Sequence, residues 1–174
     1  MNAELVEAYG NLDSSARAYL RRQGVTTETM LCWPGPVGVA TVETFAPAAF
    51  AFADTGRTVF VHPAYSVGYD SEVIDAVAWA PSNPRRWWTL QGVGEVLGDD
   101  HLFEAAMNNL PLVVHPSPLE WLAAGGDGVV VMDAEDLRAV GAVITSDPEF
   151  GREVDRALKA PAQPTPTIYV REAA

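Results

Sequence analysis

The chain has 174 residues and a hydrophobic fraction of 48%, which is the size and composition of one globular domain with its own core. Its 11 basic and 23 acidic residues give a formal net charge of −12. Affinity for nucleic acid depends on neutralising phosphates, so this charge disfavours direct binding of DNA or RNA unless a metal ion intervenes.

The first element predicted in chain order is a helix over residues 14–23. Asp13 and Ser14 are residue types that cap helix N-termini, and Gly24 is the type that ends helices. The polar N-terminal segment contains no apolar stretch typical of a secretion signal, and all uncharged apolar runs are far shorter than the roughly 20 residues of a membrane helix. No membrane partner is expected.

Strands are predicted next. The segments "PVGVATVETF" and "AFAFADTGRTVFVH" are rich in β-branched and aromatic residues around the turn at Asp54, Thr55 and Gly56. This pattern predicts antiparallel strands that include a hairpin. "SEVIDAVAWAPSNP" predicts a further strand, ended by its prolines.

In the C-terminal half, strands and helices alternate. The predicted elements are a helix at 102–109, a strand at 112–115, a short helix at 119–124 and a strand at 129–133. Two apolar strands joined by a helix are typical of a crossover unit with buried parallel strands.

Asp147 and Pro148 predict the start of a last helix. Residues 161–174 are proline-rich and are predicted to be an extended tail. Residues 1–160 are therefore predicted to be a single globular α+β domain. Its N-terminal half contains antiparallel strands with a hairpin, and its C-terminal half contains a small strand-helix-strand crossover unit.

The cysteine, the tryptophans and the histidines each allow a prediction about their role. Cys32 is the only cysteine, so no intrachain disulfide can form, which favours a reducing, cytoplasmic location. Trp79 and Trp121, like Trp33, lie in or beside apolar elements and are predicted core residues. His62 and His115 each precede a proline at the end of an apolar run, so each is predicted to hydrogen-bond the backbone at a strand end.

Negative charge is concentrated in one segment, because no Lys or Arg occurs between Arg86 and Arg138. The carboxylates in this gap are Glu95, Asp99, Asp100, Glu104, Glu120, Asp127, Asp133, Glu135 and Asp136. The simplest interpretation is a solvated coat that maintains solubility. The other two are a Mg²⁺ site and an acidic face for a basic partner, for which Asp99, Asp100 and Glu104 are the candidate binding residues.

The stretch "PRRWW" is a compact basic and aromatic spot. Arg85 and Arg86 next to Trp87 and Trp88 would suit binding by guanidinium charge and ring stacking. The alternative is that one of the tryptophans is buried while the arginines pair with the acidic segment.

The order of elements across residues 95–136 resembles that of a Toprim domain, the Mg²⁺-binding module of primases and topoisomerases. In that module a glutamate follows one strand and an acid-x-acid pair follows a later strand. Here Glu95 is followed by the predicted helix, "LVVH", "PLEWLAA" and "VVVMDAED". The resemblance implies Glu95, Asp133 and Glu135 as Mg²⁺ ligands and, together with Asp136, as catalytic carboxylates. Glu135 replaces the aspartate expected in the acidic pair.

A longer resemblance rests on "AYLRRQGV", "DAVAWAPSNPRRWW" and "PLEWLAAGGDGVVVMD". These stretches are similar to short uncharacterised proteins of high-GC bacteria and their prophages, some of them associated with primase and helicase genes. This resemblance implies a setting in phage or mobile-element DNA metabolism and assigns no site residues.

The sequence favours a non-catalytic, cytoplasmic accessory domain that acts by binding a protein partner, either a basic protein or one that binds nucleic acid. No cofactor is expected for that function. The first alternative is a Mg²⁺-dependent Toprim-like enzyme of phosphoryl transfer. The second is an acidic mimic of nucleic acid that blocks a DNA- or RNA-binding protein.

Overall fold

A computed structural model describes residues 3–31, 36–65, 72–94 and 96–160. The helices are α1 (Ala3–Gly10), α2 (Ser14–Arg22), α3 (Thr27–Leu31), α4 (Asp99–Asn108), α5 (Pro118–Ala123) and α6 (Pro148–Lys159). The strands are β1 (Gly38–Phe45), β2 (Ala49–Phe52), β3 (Arg57–Tyr65), β4 (Val73–Ala80), β5 (Asn83–Thr89), β6 (Val96–Leu97), β7 (Pro111–Val113), β8 (Val130–Val131) and β9 (Ala142–Ile144). A 3₁₀ turn covers Ala134–Ala139. The predicted α+β class is confirmed.

The first five strands form a closed barrel in the order β1-β2-β5-β4-β3. Neighbouring strands are antiparallel, except that β2 and β5 meet in parallel through Ala49 and Thr89. The barrel is closed through this single residue pair, which lies at the end of β5.

The hairpin predicted around the Asp54–Gly56 turn does not form, and the N-terminal hairpin is instead made by β1 and β2. The strands on either side of the Asp54–Gly56 turn do not pair with each other, because both pair with β1, where Val42 lies opposite Phe52 on one side and Arg57 on the other. Gly56 has a φ of +140° and lies so close to the Val42 carbonyl that a Cβ would not fit. Glycine is therefore needed at this position, where the chain crosses from one edge of β1 to the other.

Alternation of side chains along the strands divides the buried residues of the barrel between two clusters. One cluster takes residues from all five barrel strands, which identifies it as the barrel interior, and Leu5 and Ala8 of α1 close it. The other cluster lies on the outer face of β3, β4 and β5, where Trp79 packs with Leu20 of α2 and Trp121 of α5. The burial predicted for Trp79 and Trp121 is confirmed.

The C-terminal half forms a second, smaller sheet. β7 and β9 are parallel, β6 and β8 are antiparallel, and a parallel bridge between Val114 and Val129 joins the two pairs. α5 connects the bridged segments, as the predicted crossover unit requires. α4 begins at Asp99, three residues before the predicted start, because Gly98 adopts a left-handed conformation and ends the preceding strand.

Several sequence predictions fall on residues outside the described ranges: Cys32, Trp33, Glu95 and the tail at 161–174. Within those ranges, the caps predicted for α2 and α6 are confirmed, since Asp13 accepts the N–H of Ala16 and Asp147 accepts that of Glu149. No helix of the described ranges has the length and apolar character needed to cross a membrane.

Candidate functional site

The carboxylates that the Toprim resemblance assigns to Mg²⁺ take part in local contacts. Asp133 accepts the N–H of Glu135 at 2.9 Å and caps the 3₁₀ turn, which also contains Asp136. Both carboxylate oxygens of Glu135 accept hydrogen bonds from Arg138, at 2.6 and 2.8 Å, and these bonds lower the pKa of Glu135. Glu95 is not among the described residues. In the part of the chain that the structure describes, no three His, Cys, Asp or Glu residues are grouped so that they could hold a metal ion.

The "PRRWW" stretch lies on β5, and both of its tryptophans are buried. Trp87 packs on the outer face of the barrel and Trp88 in its interior, so the sequence-based alternative with only one buried ring was wrong. Arg85 pairs at 2.6 Å with Asp147, which lies beyond the acidic segment with which pairing was expected. The guanidinium of Arg86 lies 5.6 Å from the ring centre of Trp88. The stretch therefore contributes its rings to the core and an ion pair between β5 and α6.

The acidic candidates Asp99, Asp100 and Glu104 lie on α4. Asp99 and Asp100 occupy its first turn, where negative charge is favoured by the helix dipole. Asp99 is partly buried, and this burial, together with the neighbouring Asp100, raises the pKa of Asp99. Asp100 and Glu104 are exposed.

Apolar side chains share the outer surface of α4 with these acids. Phe103 is 54% exposed and Met107 69%, and Leu110, just after the helix, is 44% exposed. We call Asp100, Phe103, Glu104, Met107 and Leu110 the α4 face. The apolar members of this face were not among the site residues predicted from the sequence. The available signal was the spacing of four residues between Phe103 and Met107, because residues four apart lie on the same face of a helix.

A groove of about 240 Å³ runs beside the α4 face, between α4 and β7. We take the buried or partly buried lining residues Ala105, Leu112 and Val113 as its floor, and the exposed acidic residues Glu104 and Asp127 also line it. Asp127 was counted in the acidic segment and was not singled out as a site residue. The arrangement combines an apolar surface with two negative charges.

Three side chains hold the Asp127–Gly128 loop at the end of this groove. Nε2 of His115 donates to the Asp127 carbonyl at 2.8 Å, which confirms the predicted backbone contact of His115. Nε1 of Trp121 donates to the Gly128 carbonyl at 3.0 Å, and Nδ1 of His101 accepts the Gly128 N–H at 2.8 Å. The loop is thus fixed from both sides.

The His101 contact also sets the charge beside Asp127. Because Nδ1 accepts a hydrogen bond from a backbone N–H, the ring proton is assigned to Nε2 and the imidazole is uncharged. The distance of 3.6 Å between Nδ1 and the Asp127 carboxylate is therefore not an ion pair. The Asp127 side chain is 78% exposed.

His62 differs from the strand-end residue predicted for it. It lies within β3, is 1% exposed, and neither ring nitrogen has a hydrogen-bond partner among the described residues. Its ring centre lies 5.9 Å from that of Trp121. Burial lowers the pKa of His62 to about 4, so the ring is neutral at pH 7.

This burial predicts a pH dependence of stability. The unfolded chain has the ordinary histidine pKa of about 6.5 and binds the proton more strongly than the folded chain, so His62 lowers stability as pH falls from 6.5 to about 4. The loss amounts to roughly 3 kcal/mol at pH 4. Urea denaturation of wild type and His62→Leu across this range should show wild type losing more stability. The carboxylates titrate in both proteins, so the difference between the two pH profiles reports His62. Parallel pH profiles would contradict the prediction.

The described residues define a closed five-stranded barrel joined to a small α/β unit, which displays an acidic and apolar helix face. Comparison of the chain with models of protein families, with curated proteins and with solved structures found no match.

Proposed function

We propose that this chain is a non-catalytic binding domain that acts through a protein partner and contacts that partner with the α4 face. The observation that carries the proposal is the exposure of Phe103, Met107 and Leu110 on one surface. Large apolar side chains grouped at the surface and rimmed by polar residues mark interaction sites, and their burial stabilises complexes.

The charge of the α4 face supports a basic partner. Asp100 and Glu104 lie among the apolar side chains, and no Lys or Arg occurs in the sequence between Arg86 and Arg138. A basic rim on the partner would complement these charges, whereas a second copy of this chain would bring acids against acids. Proteins that bind nucleic acid form one class with such basic surfaces.

We further propose that the domain acts in the cytoplasm. A single cysteine, Cys32, supports a reducing compartment, because the chain cannot form an intrachain disulfide.

The proposal is tested with the double variant Phe103→Ser, Met107→Ser. Both side chains are exposed, so the variant should remain folded, while the binding surface loses its apolar centre. Affinity capture from the native host at low salt should recover a basic protein with wild type and not with the variant. The matched control is Val6→Ser, Leu31→Ser, which removes two other exposed apolar side chains, from α1 and α3, and should keep the partner.

Salt provides the second readout. Screening shortens from about 10 Å at 0.1 M salt to about 3 Å at 1 M, so high salt should weaken capture if charge complementarity contributes. Equal recovery by wild type and the Phe103/Met107 variant would reject the proposal. If sedimentation shows that wild type is a dimer and that the Phe103/Met107 variant is a monomer, the α4 face would instead be assigned to self-association.

A further inference from the structure

We infer that the groove between α4 and β7 receives an arginine or lysine side chain of the partner. This inference rests on the proposed function, because Glu104 and Leu110 belong both to the α4 face and to the groove. It adds the chemical identity of the group that is recognised.

The floor of the groove suits the stem of a long basic side chain. Ala105 and Leu112 are buried core residues, and Val113 is partly buried, so the floor is apolar and supported from below. Arginine and lysine cover such surfaces with their methylene groups while the charged end stays at the rim.

The sides of the groove suit the charged end of that side chain. Glu104 lies on α4 and Asp127 on the loop before β8, so two carboxylates from separate elements line one groove. His101, which also lines it, is uncharged in the tautomer that its bond to Gly128 requires. A guanidinium or ammonium group would therefore meet negative charge that no neighbouring imidazolium offsets.

The backbone that carries Asp127 is held in place before any partner binds. Hydrogen bonds from His115 and Trp121 and to His101 fix the backbone on both sides of the Asp127–Gly128 peptide. In addition, Gly98 lies so close to the Gly128 carbonyl that a Cβ at residue 98 would not fit. A loop already ordered in the free protein loses little conformational entropy on binding.

The test uses N-acetyl-arginine methylamide as the probe and its citrulline counterpart as the neutral control of nearly equal shape. In an NMR titration of the full chain, the arginine probe should produce saturable shifts of the Glu104, Val113 and Gly128 amides. The citrulline probe should produce none of comparable size. Asp127→Asn and Glu104→Gln should each weaken the arginine probe about fivefold, which is the scale of an exposed charge pair. Glu28→Gln, an exposed change on α3, should leave the affinity unchanged.

Equal shifts with both probes, or affinity unaffected by Asp127→Asn, would overturn the inference. Its failure is distinct from failure of the proposed function, since Phe103 and Met107 do not line the groove. Capture that depends on these two side chains without probe binding would leave the function standing and remove the groove. Probe binding without any captured partner would show that the groove binds a basic side chain and would reject the proposed function.

Discussion

Replacing Asp75 with alanine is expected to lower the free energy of unfolding by about 4 kcal/mol or more. The Asp75 side chain is buried, and the residue is only 3% exposed. Its carboxylate accepts five backbone hydrogen bonds of 2.7 to 3.1 Å, from the N–H groups of Ala76, Leu90, Gln91, Val93 and Gly94. Each hydrogen bond to a charged group contributes about 1.5–3 kcal/mol, and alanine would remove this shared acceptor, although the Leu90 N–H would keep its bond to the Ala76 carbonyl.

The conservative variant Asp75→Asn separates shape from hydrogen bonding. The amide keeps one acceptor oxygen, but its NH₂ group would face N–H donors where Asp75 now offers an oxygen to Val93 and Gly94. We therefore expect a loss of roughly 2–3 kcal/mol, smaller than that of alanine. Asp155→Asn, which breaks an exposed pair with Lys159, is the control and should change stability by less than about 1 kcal/mol. Urea denaturation measures the free energy of unfolding of all three variants. A loss for Asp75→Ala no larger than that for Asp155→Asn would show that the Asp75 carboxylate is not needed to hold residues 90–94.

Local sequence signals predicted the elements well where a side chain acts on its own neighbours. The caps at Asp13 and Asp147 contact backbone within three residues, and both were predicted. Trp79 and Trp121 were assigned to the core from the apolar runs around them. Such signals depend only on nearby residues, which is why they can be read without knowing the fold.

Pairing between distant segments could not be predicted in the same way. The composition of β2 and β3 indicates strands, yet nothing local shows that both pair with β1 and not with each other. β9 is three residues long, which is too short to show a period. Asp75 did carry a signal, because a lone carboxylate in the apolar run "VIDAVAWA" must find donors when the strand is buried.

The candidate site was predicted in part. Charge alone selected Asp99, Asp100 and Glu104, but α4 carries apolar residues on two sides, and the sequence does not show which side is buried. Packing of Ala105 into the core turns Phe103 and Met107 outward. The contacts of His101 and His115 with the Asp127–Gly128 loop span 27 and 12 residues, so they follow from the fold and not from a motif.

Replacing Trp121 with alanine is expected to cost roughly 3–5 kcal/mol, because a large buried ring leaves a cavity in the cluster between α5 and the barrel. The residue is 3% exposed, and its Nε1 donates to the Gly128 carbonyl. Trp121→Phe keeps most of the apolar volume and loses this hydrogen bond, so it should cost about 1–3 kcal/mol. Denaturation of the two variants measures both contributions, and near-native stability of Trp121→Ala would show that α5 is not part of the core.

The Trp121→Ala variant should also change how stability depends on pH. The tryptophan ring lies beside His62, and its removal opens space next to a histidine whose pKa is lowered by burial. With water able to reach the imidazole, the pKa of His62 should rise toward 6.5, and the variant should lose less stability than wild type as pH falls from 6.5 to 4. Chemical-shift titration of the His62 ring carbons reports this directly. An unchanged His62 titration in a folded Trp121→Ala variant would show that the neighbouring barrel residues alone keep water from the ring.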